Sequence, residues 1–338
     1  MLPAMSVILL TTLIGVGQGL FLALFSAQSY ALVGLLPRTD GHVFYAQGSA
    51  VAVAFLIAGL IASFFHLGRP ERAWRSASQW RTSWLSREVI VLPAFMLVVA
   101  LYGVAQGLGW NPVLATLPQG VALDAGVALG LAGSVLAFAL FVCTAMIYAC
   151  LPFLAEWHTP LTLVNYTLLG GASGFTLAAA LAASLAVGSS SSAAPHLVPF
   201  FAAWAIVITV LAAIGRIASL WRNARLRPKS TAQSAIGVKH PRVVQTSQGF
   251  TGGSFNTREF FHGRSGRALR TVKWAFLLLT FVLPLVCLGL GLARGQDSAS
   301  TTLLAAAFIA QYLGLLLERW FFFAQANHPQ NLYYQAVS

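Results

Sequence analysis

Eight long apolar runs, each almost free of charge, constrain the fold of this 338-residue chain more than any other feature. About 20 apolar residues suffice for a helix to cross the hydrocarbon core of a bilayer. The runs are Val7–Ser29, Gln47–Phe65, Val89–Leu108, Ala125–Ala149, Thr162–Val187, Leu197–Leu220, Trp274–Ala293 and Leu303–Phe323. The chain is 58% hydrophobic and only 8% charged, which leaves too few polar side chains to cover a water-soluble globule of this size. The sequence therefore predicts an all-α integral membrane protein, a bundle of eight transmembrane helices.

One long polar stretch divides the chain. Residues 222–272 carry ten Lys and Arg residues against the single acid Glu259, without helical or strand periodicity. We therefore expect a six-helix membrane region over 1–221 and a basic cytoplasmic loop over 222–272. The last two membrane helices and a cytoplasmic tail then occupy 273–338.

The basic residues are distributed very unevenly between the two faces of the predicted bundle. Of the 20 Lys and Arg residues, 18 fall on the face that carries both termini, and only Arg38 and Arg294 fall on the other. Because basic segments are retained in the cytoplasm, we predict a bacterial cytoplasmic-membrane protein with both termini cytoplasmic. The net charge of +12 then reflects topology, and it indicates membrane lipid or an acidic partner surface rather than nucleic acid.

The segment FFHLGRPERAWRSASQWRTSWLSRE, residues 64–88, concentrates five arginines, two glutamates, one histidine and three tryptophans. It joins the second and third runs, so we expect His66 and Glu88 to lie at the same membrane depth on converging helix ends. Gly59, Ser63 and His66 follow helical spacing, which predicts a histidine on a small-residue stripe beside a cleft. This arrangement suits a flat ligand at the membrane interface.

A purely structural interpretation of the same segment stays open. In it, His66 caps its helix, Glu88 pairs with a neighbouring arginine, and the tryptophans form an ordinary aromatic belt. We favour that interpretation for the single arginines and tryptophans. For His66 and Glu88 the physics leaves both interpretations open, since ionisable groups at membrane depth tend to be functional.

Four glycine pairs with a spacing of four residues predict close helix packing, because small residues on one helix face let backbones approach in lipid. They are Gly15 and Gly19, Gly103 and Gly107, Gly126 and Gly130, and Gly170 and Gly174. The cysteines show no C-x-x-C spacing, and only His66 among the seven histidines falls on a predicted span. We therefore expect no haem, iron–sulfur cluster or other metal site in this chain.

Three segments together resemble the DmsC family, the membrane anchor subunits of the dimethyl sulfoxide reductase type. They are HLGRPERAWRSASQWRTSWLSRE at 66–88, FNTREFFHGRS at 255–265 and ERWFFFAQANHPQNLYYQ at 318–335. The resemblance covers essentially the whole chain. The long basic loop and extended tail are more similar to the sulfite-oxidising branch than to the shorter respiratory sulfoxide reductase anchors.

The resemblance implies an anchor in anaerobic or sulfur-compound electron transport. Its partners would be a molybdopterin catalytic subunit and a four-cluster iron–sulfur electron-transfer subunit, and its exchangeable cofactor would be quinone. His66 matches the quinol-site histidine of the His-Leu-Gly motif, Glu88 matches another implicated position, and Arg69 and Arg72 flank the motif. No catalytic residue is expected in this chain. A histidine with an ordinary pKa of about 6.5 suits a site that moves protons together with electrons.

Partner docking is the functional interpretation of the basic loop and the tail. Arg258, Phe260 and Phe261 in the loop, and Trp320 with the three phenylalanines after it, are the expected contacts. The competing interpretation is a solvated loop and an interfacial anchor.

A secondary transporter is the main alternative function, since eight spans and Pro284 in mid-span are compatible with it. Against it, the two halves show no repeat and the charges cluster at helix ends. A purely structural tether would leave His66 without a role.

Overall fold

A computed structural model of the chain describes residues 4–37, 41–116, 122–187, 194–227, 231–243, 266–295 and 297–326. Eight helices within these ranges are long and apolar enough to cross a membrane, which confirms the predicted number and the all-α class. Six spans are single helices: α1 (Met5–Leu32), α2 (His42–Phe64), α3 (Trp84–Gly107), α4 (Ala125–Ala149), α5 (Pro160–Val187) and α6 (Ala194–Asn223).

The remaining elements complete the bundle and its connections. The seventh span joins α8 (Gly266–Leu277) to α9 (Leu283–Ala293) through a π-helical turn (Leu278–Val282), and the eighth is α10 (Ser298–Ala324). The smaller elements are a 3₁₀ segment (Pro70–Gln79), the short helix α7 (Ala232–Ile236) and an antiparallel hairpin of β1 (Val113–Thr116) and β2 (Ala122–Asp124).

The helices differ from the apolar runs at two places that matter. The seventh span begins at Gly266 rather than Trp274, because the helix continues through a basic first part that carries Arg267, Arg270 and Lys273. The interpretation of the sixth run as free of charge is wrong, because Arg216 lies inside α6.

We call one end of the bundle the basic end. It contains the α2–α3 connection (65–83), the α4–α5 connection (150–159) and the final turns of α6 and α10. Antiparallel helices joined by short connections bring these segments to the same side. Side chains from α1, α3, α4, α5 and α10 meet around one cavity there.

The centre of the bundle depends on glycine contacts between α1 and α5. A Cβ atom added to Gly19 would overlap the carbonyl oxygen of Gly170, and one added to Gly174 would overlap the backbone of Gly19. The predicted close packing is therefore confirmed for these glycines.

Pro284 in the seventh span has a structural explanation. A proline has no N–H, so the carbonyl of Thr280, four residues earlier, loses its helical donor at the π-helical turn. The Gln311 side-chain amide on α10 donates to that carbonyl at 3.3 Å and to the Thr209 hydroxyl at 3.2 Å. A neighbouring helix thus satisfies the interruption, which removes one reason for the transporter interpretation.

We predict that Gly19→Ala strongly lowers the yield and thermal stability of the purified chain, because the added methyl group has to displace the α5 backbone. Thermal unfolding in detergent measures the effect. The matched control is Gly289→Ala on α9, where a Cβ atom meets nothing within 4 Å. Equal stability of the Gly19→Ala and Gly289→Ala proteins would contradict the close α1–α5 contact.

Candidate functional site

The α2–α3 connection forms an exposed surface of arginine and tryptophan side chains. Trp74 is 72% exposed and Trp80 is 53% exposed, and Arg75 and Arg81 lie over these two rings at 5.4 and 5.3 Å. Arg87 anchors the end of the segment by donating to the Trp80 carbonyl at 2.9 Å. Flat aromatic rings beside guanidinium groups form a surface suited to anionic groups at a membrane edge. We call residues 66–87 the arginine–tryptophan surface.

His66 lies on this surface, two residues beyond the end of α2. Its side chain is exposed, yet partial desolvation by the surrounding protein lowers its pKa below the ordinary value. The predicted helical stripe of Gly59, Ser63 and His66 is wrong at its last member, because the chain leaves the helix after Phe64. Arg69 and Arg72 are also exposed, and Arg72 makes only a loose 3.9 Å pair with Glu71.

Glu88 occupies a different environment. It lies in the first part of α3, is only 7% exposed, and accepts a hydrogen bond of 2.5 Å from the Thr144 hydroxyl on α4. It lines a cavity of about 20 Å³, room for about one water molecule, together with Thr11, Tyr166 and Arg319. His66 does not line this cavity, so the structure places the two residues at the same end of the bundle without joining them in one pocket.

The expected docking residues fall into two groups. Arg258, Phe260 and Phe261 lie outside the described residues. Trp320 is half-buried near the end of α10. The phenylalanines that follow it, 321–323, are at most 6% exposed and pack in the interior, where the Trp157 indole donates to the Phe322 carbonyl at 2.9 Å. Their expected role in a docking surface is therefore wrong, because α10 continues through them and buries them.

Three charged side chains lie buried together at the basic end. Glu318 on α10 is fully buried and pairs with Arg216 on α6 at 2.7 Å and with its neighbour Arg319 at 2.6 Å. Arg216 is 2% exposed and Arg319 is 4% exposed. The Arg319 guanidinium also lies 4.0 Å from the centre of the Tyr166 ring on α5. We call Arg216, Glu318 and Arg319 the buried ion cluster.

Sequence reasoning missed the buried ion cluster. The available signal was Arg216, a basic residue inside an apolar run, because an ionisable residue within a span is by default a functional candidate. Glu318 and Arg319 were expected to mark the end of the last span, but α10 continues to Ala324.

A larger cavity of about 350 Å³ lies at the opposite end of the bundle. Its polar lining includes His42, Gln106 and Asp124. His42 Nδ1 lies 3.0 Å from the Gln106 side-chain oxygen, so part of this lining is already paired. This volume is large enough for a small ring. It makes His42 a useful counterpart of His66.

The eight spans and the polar groups gathered at one end make the chain a multi-pass membrane subunit. The family model described as DMSO reductase anchor subunit (DmsC) matches residues 1–325. The chain is also 54% identical over 336 residues to a membrane-anchor-sized subunit of the sulfite dehydrogenase of Allochromatium vinosum, with 99% of each chain covered. The chain therefore belongs to the DmsC family, which confirms the resemblance, and it is a membrane anchor of a molybdoenzyme complex. Catalytic and electron-transfer subunits are the partners that this membership implies.

We predict that Glu318→Gln sharply reduces folded protein, because it leaves two buried guanidinium groups with one partner fewer. Removing one member of a buried pair costs about 3–5 kcal/mol. Thermal unfolding of the detergent-solubilised chain measures the loss. The control is Glu71→Gln, which breaks the exposed pair with Arg72 and should leave stability unchanged. A Glu318→Gln protein as stable as the Glu71→Gln protein would contradict the structural weight given to the cluster.

Proposed function

We propose that this anchor exchanges electrons between membrane quinone and an iron–sulfur subunit that docks on its basic end. The observation that carries the proposal is the exposed arginine–tryptophan surface around His66. This surface lies where a lipid-soluble ring and a water-soluble partner can approach each other. The chain itself is expected to hold no redox metal, so electrons have to pass directly between the quinone and a cluster of the partner.

The relative from Allochromatium vinosum suggests the reaction that the complex serves, because its name identifies a sulfite dehydrogenase. In our proposal, a molybdopterin subunit oxidises sulfite with water to sulfate, releasing two electrons and two protons. The iron–sulfur subunit carries the electrons to the anchor, where a quinone takes up two electrons and two protons to become quinol. This assigns the anchor to quinone reduction, and the sulfite chemistry lies outside this chain.

The charge distribution supports docking from the cytoplasm. Of the 20 Lys and Arg residues, 18 belong to the face that includes the basic end. We therefore propose that the chain lies in the bacterial cytoplasmic membrane with both termini and the 222–272 loop in the cytoplasm. Arg258, Phe260, Phe261 and Trp320 are the proposed docking contacts outside the arginine–tryptophan surface.

We predict that an alkaline phosphatase fusion near Gln248 is inactive and one near Ser191 is active, because the enzyme folds only outside the cytoplasm. A green fluorescent protein fused at the same positions should give the opposite pattern. An active phosphatase near Gln248 together with an inactive one near Ser191 would invert the proposed orientation.

The chemistry of His66 fits a quinone contact. Since its pKa is lowered, the imidazole is neutral near pH 7 and offers one N–H donor and one acceptor nitrogen. The N–H can bind a quinone oxygen, while the neighbouring Arg69 and Arg72 supply positive charge as the ring gains electrons. Glu88 is the proposed proton-exchanging carboxylate behind this contact.

We predict that His66→Ala in the assembled complex lowers quinone-linked sulfite oxidation by about 100-fold or more, the usual contribution of a positioned acid–base group. Activity with an artificial soluble electron carrier should stay unchanged, because that carrier takes electrons before they reach the anchor. Glu88→Gln should lower the same quinone-linked rate and alter its pH dependence. The measurement is the ratio of quinone-linked to carrier-linked activity per mole of complex in membranes.

His42→Ala is the matched control, because it removes a histidine from the cavity at the opposite end. The ratio should stay at the wild-type value in this variant. A loss in His42→Ala with an unchanged ratio in His66→Ala would move the quinone to the other end of the bundle. A structural cap at His66 would instead lower the amount of complex and affect both activities equally.

A further inference from the structure

Two buried cavities adjoin each other at the basic end. The first, of about 20 Å³, reaches from Glu88 to Tyr166 and Arg319. The second, of about 10 Å³, shares Tyr166 and Arg319 and continues to Glu156 and Asn223. These last two residues are half-buried at the aqueous edge, in the α4–α5 connection and the last turn of α6. Polar groups thus follow one another from an intramembrane carboxylate to the surface.

Several buried polar atoms along this line have no hydrogen-bond partner among the described residues. They include the Tyr166 hydroxyl, Arg319 Nη1, Arg216 Nη2 and the Asn165 side-chain oxygen. Buried polar atoms in proteins are almost always satisfied by protein or by ordered water. The cavities beside these atoms have room for about one water molecule each. Single waters at these places would bridge the polar side chains into a connected chain.

The charges along the line balance only when Glu88 is ionised. The buried ion cluster contains two guanidinium groups and one carboxylate, which leaves one positive charge in excess. An ionised Glu88 cancels that excess, whereas a protonated Glu88 leaves it uncompensated within the bundle. The pairing with Glu318 also reduces the barrier that a bare guanidinium would present to a passing proton. This balance favours a Glu88 that gives up its proton readily and takes up another from outside.

We propose that this line is a proton route between the cytoplasmic surface and Glu88, with Tyr166 at the junction of the two cavities. The proposal rests on the proposed function for its final step, the transfer from Glu88 to quinone. A proton enters near Glu156, passes through water and the Tyr166 hydroxyl, and binds the Glu88 carboxylate. The quinone gains two electrons from the partner and two protons in all, and Glu88 returns to its carboxylate form after each proton that it delivers.

Proton exchange at Glu88 can be tested in the purified complex without any quinone turnover. The method is time-resolved infrared spectroscopy after a rapid change of pH, following the carbonyl band of the protonated Glu88 side chain. Glu88→Gln identifies the band by its loss. We expect Tyr166→Phe to keep the band and to slow its response by about tenfold or more, because the hydroxyl at the junction is gone.

The matched control is Tyr102→Phe, which removes another buried tyrosine hydroxyl, one that donates to Gln28 at 2.7 Å. Its response should equal that of the wild type. If Tyr166→Phe assembles poorly, Asn165→Val tests the second cavity and should slow the same response. A wild-type response in Tyr166→Phe or in Asn165→Val, or a Glu88 that never takes up a proton while the complex stays folded, would overturn the route.

The test separates the route from the proposed quinone site. A slowed infrared response in Tyr166→Phe with a wild-type activity ratio in His66→Ala supports the route and overturns the quinone contact. An unchanged infrared response with a lost ratio in His66→Ala overturns the route and supports the contact.

Discussion

The pairing of Glu318 with Arg216 is the interaction on which the basic end of this bundle depends. A charge within a membrane bundle is costly unless it is paired and hydrogen-bonded. The 2.7 Å contact joins α6 to α10, and the 2.6 Å contact with Arg319 places the second guanidinium against the Tyr166 ring. Three helices are thereby fixed to one another by groups that lipid cannot satisfy. The same contacts keep polar atoms, and room for water, close to Glu88.

Close backbone packing elsewhere makes that arrangement possible. The glycine contacts between α1 and α5 bring Thr11 and Tyr166 to the same cavity, because no side chains separate the two backbones. From α3 comes Glu88, which the Thr144 hydroxyl holds from α4. Apolar packing thus sets the positions, and a small number of polar contacts sets the chemistry.

The division between surface and interior suits a subunit whose substrate reaction happens elsewhere. The arginine–tryptophan surface is exposed and cationic, as a docking or interfacial surface should be. Glu88 and the buried ion cluster lie behind it, away from a direct contact with water. In the proposed function, electrons cross at the surface while protons pass through the interior. These two paths need different residues, so substitutions can affect one without the other.

The sequence by itself determined the membrane class, the eight spans and the family, because each depends on composition or a local motif. It also located Glu88, which stands beside a recognisable motif. Only the tertiary structure decided that His66 leaves the helix and lies exposed while Glu88 turns inward, since this depends on where α2 ends and how α3 rotates. It likewise decided that Arg216, Glu318 and Arg319 meet. These residues are widely separated or lie near an expected helix end, and no local pattern records which helices become neighbours.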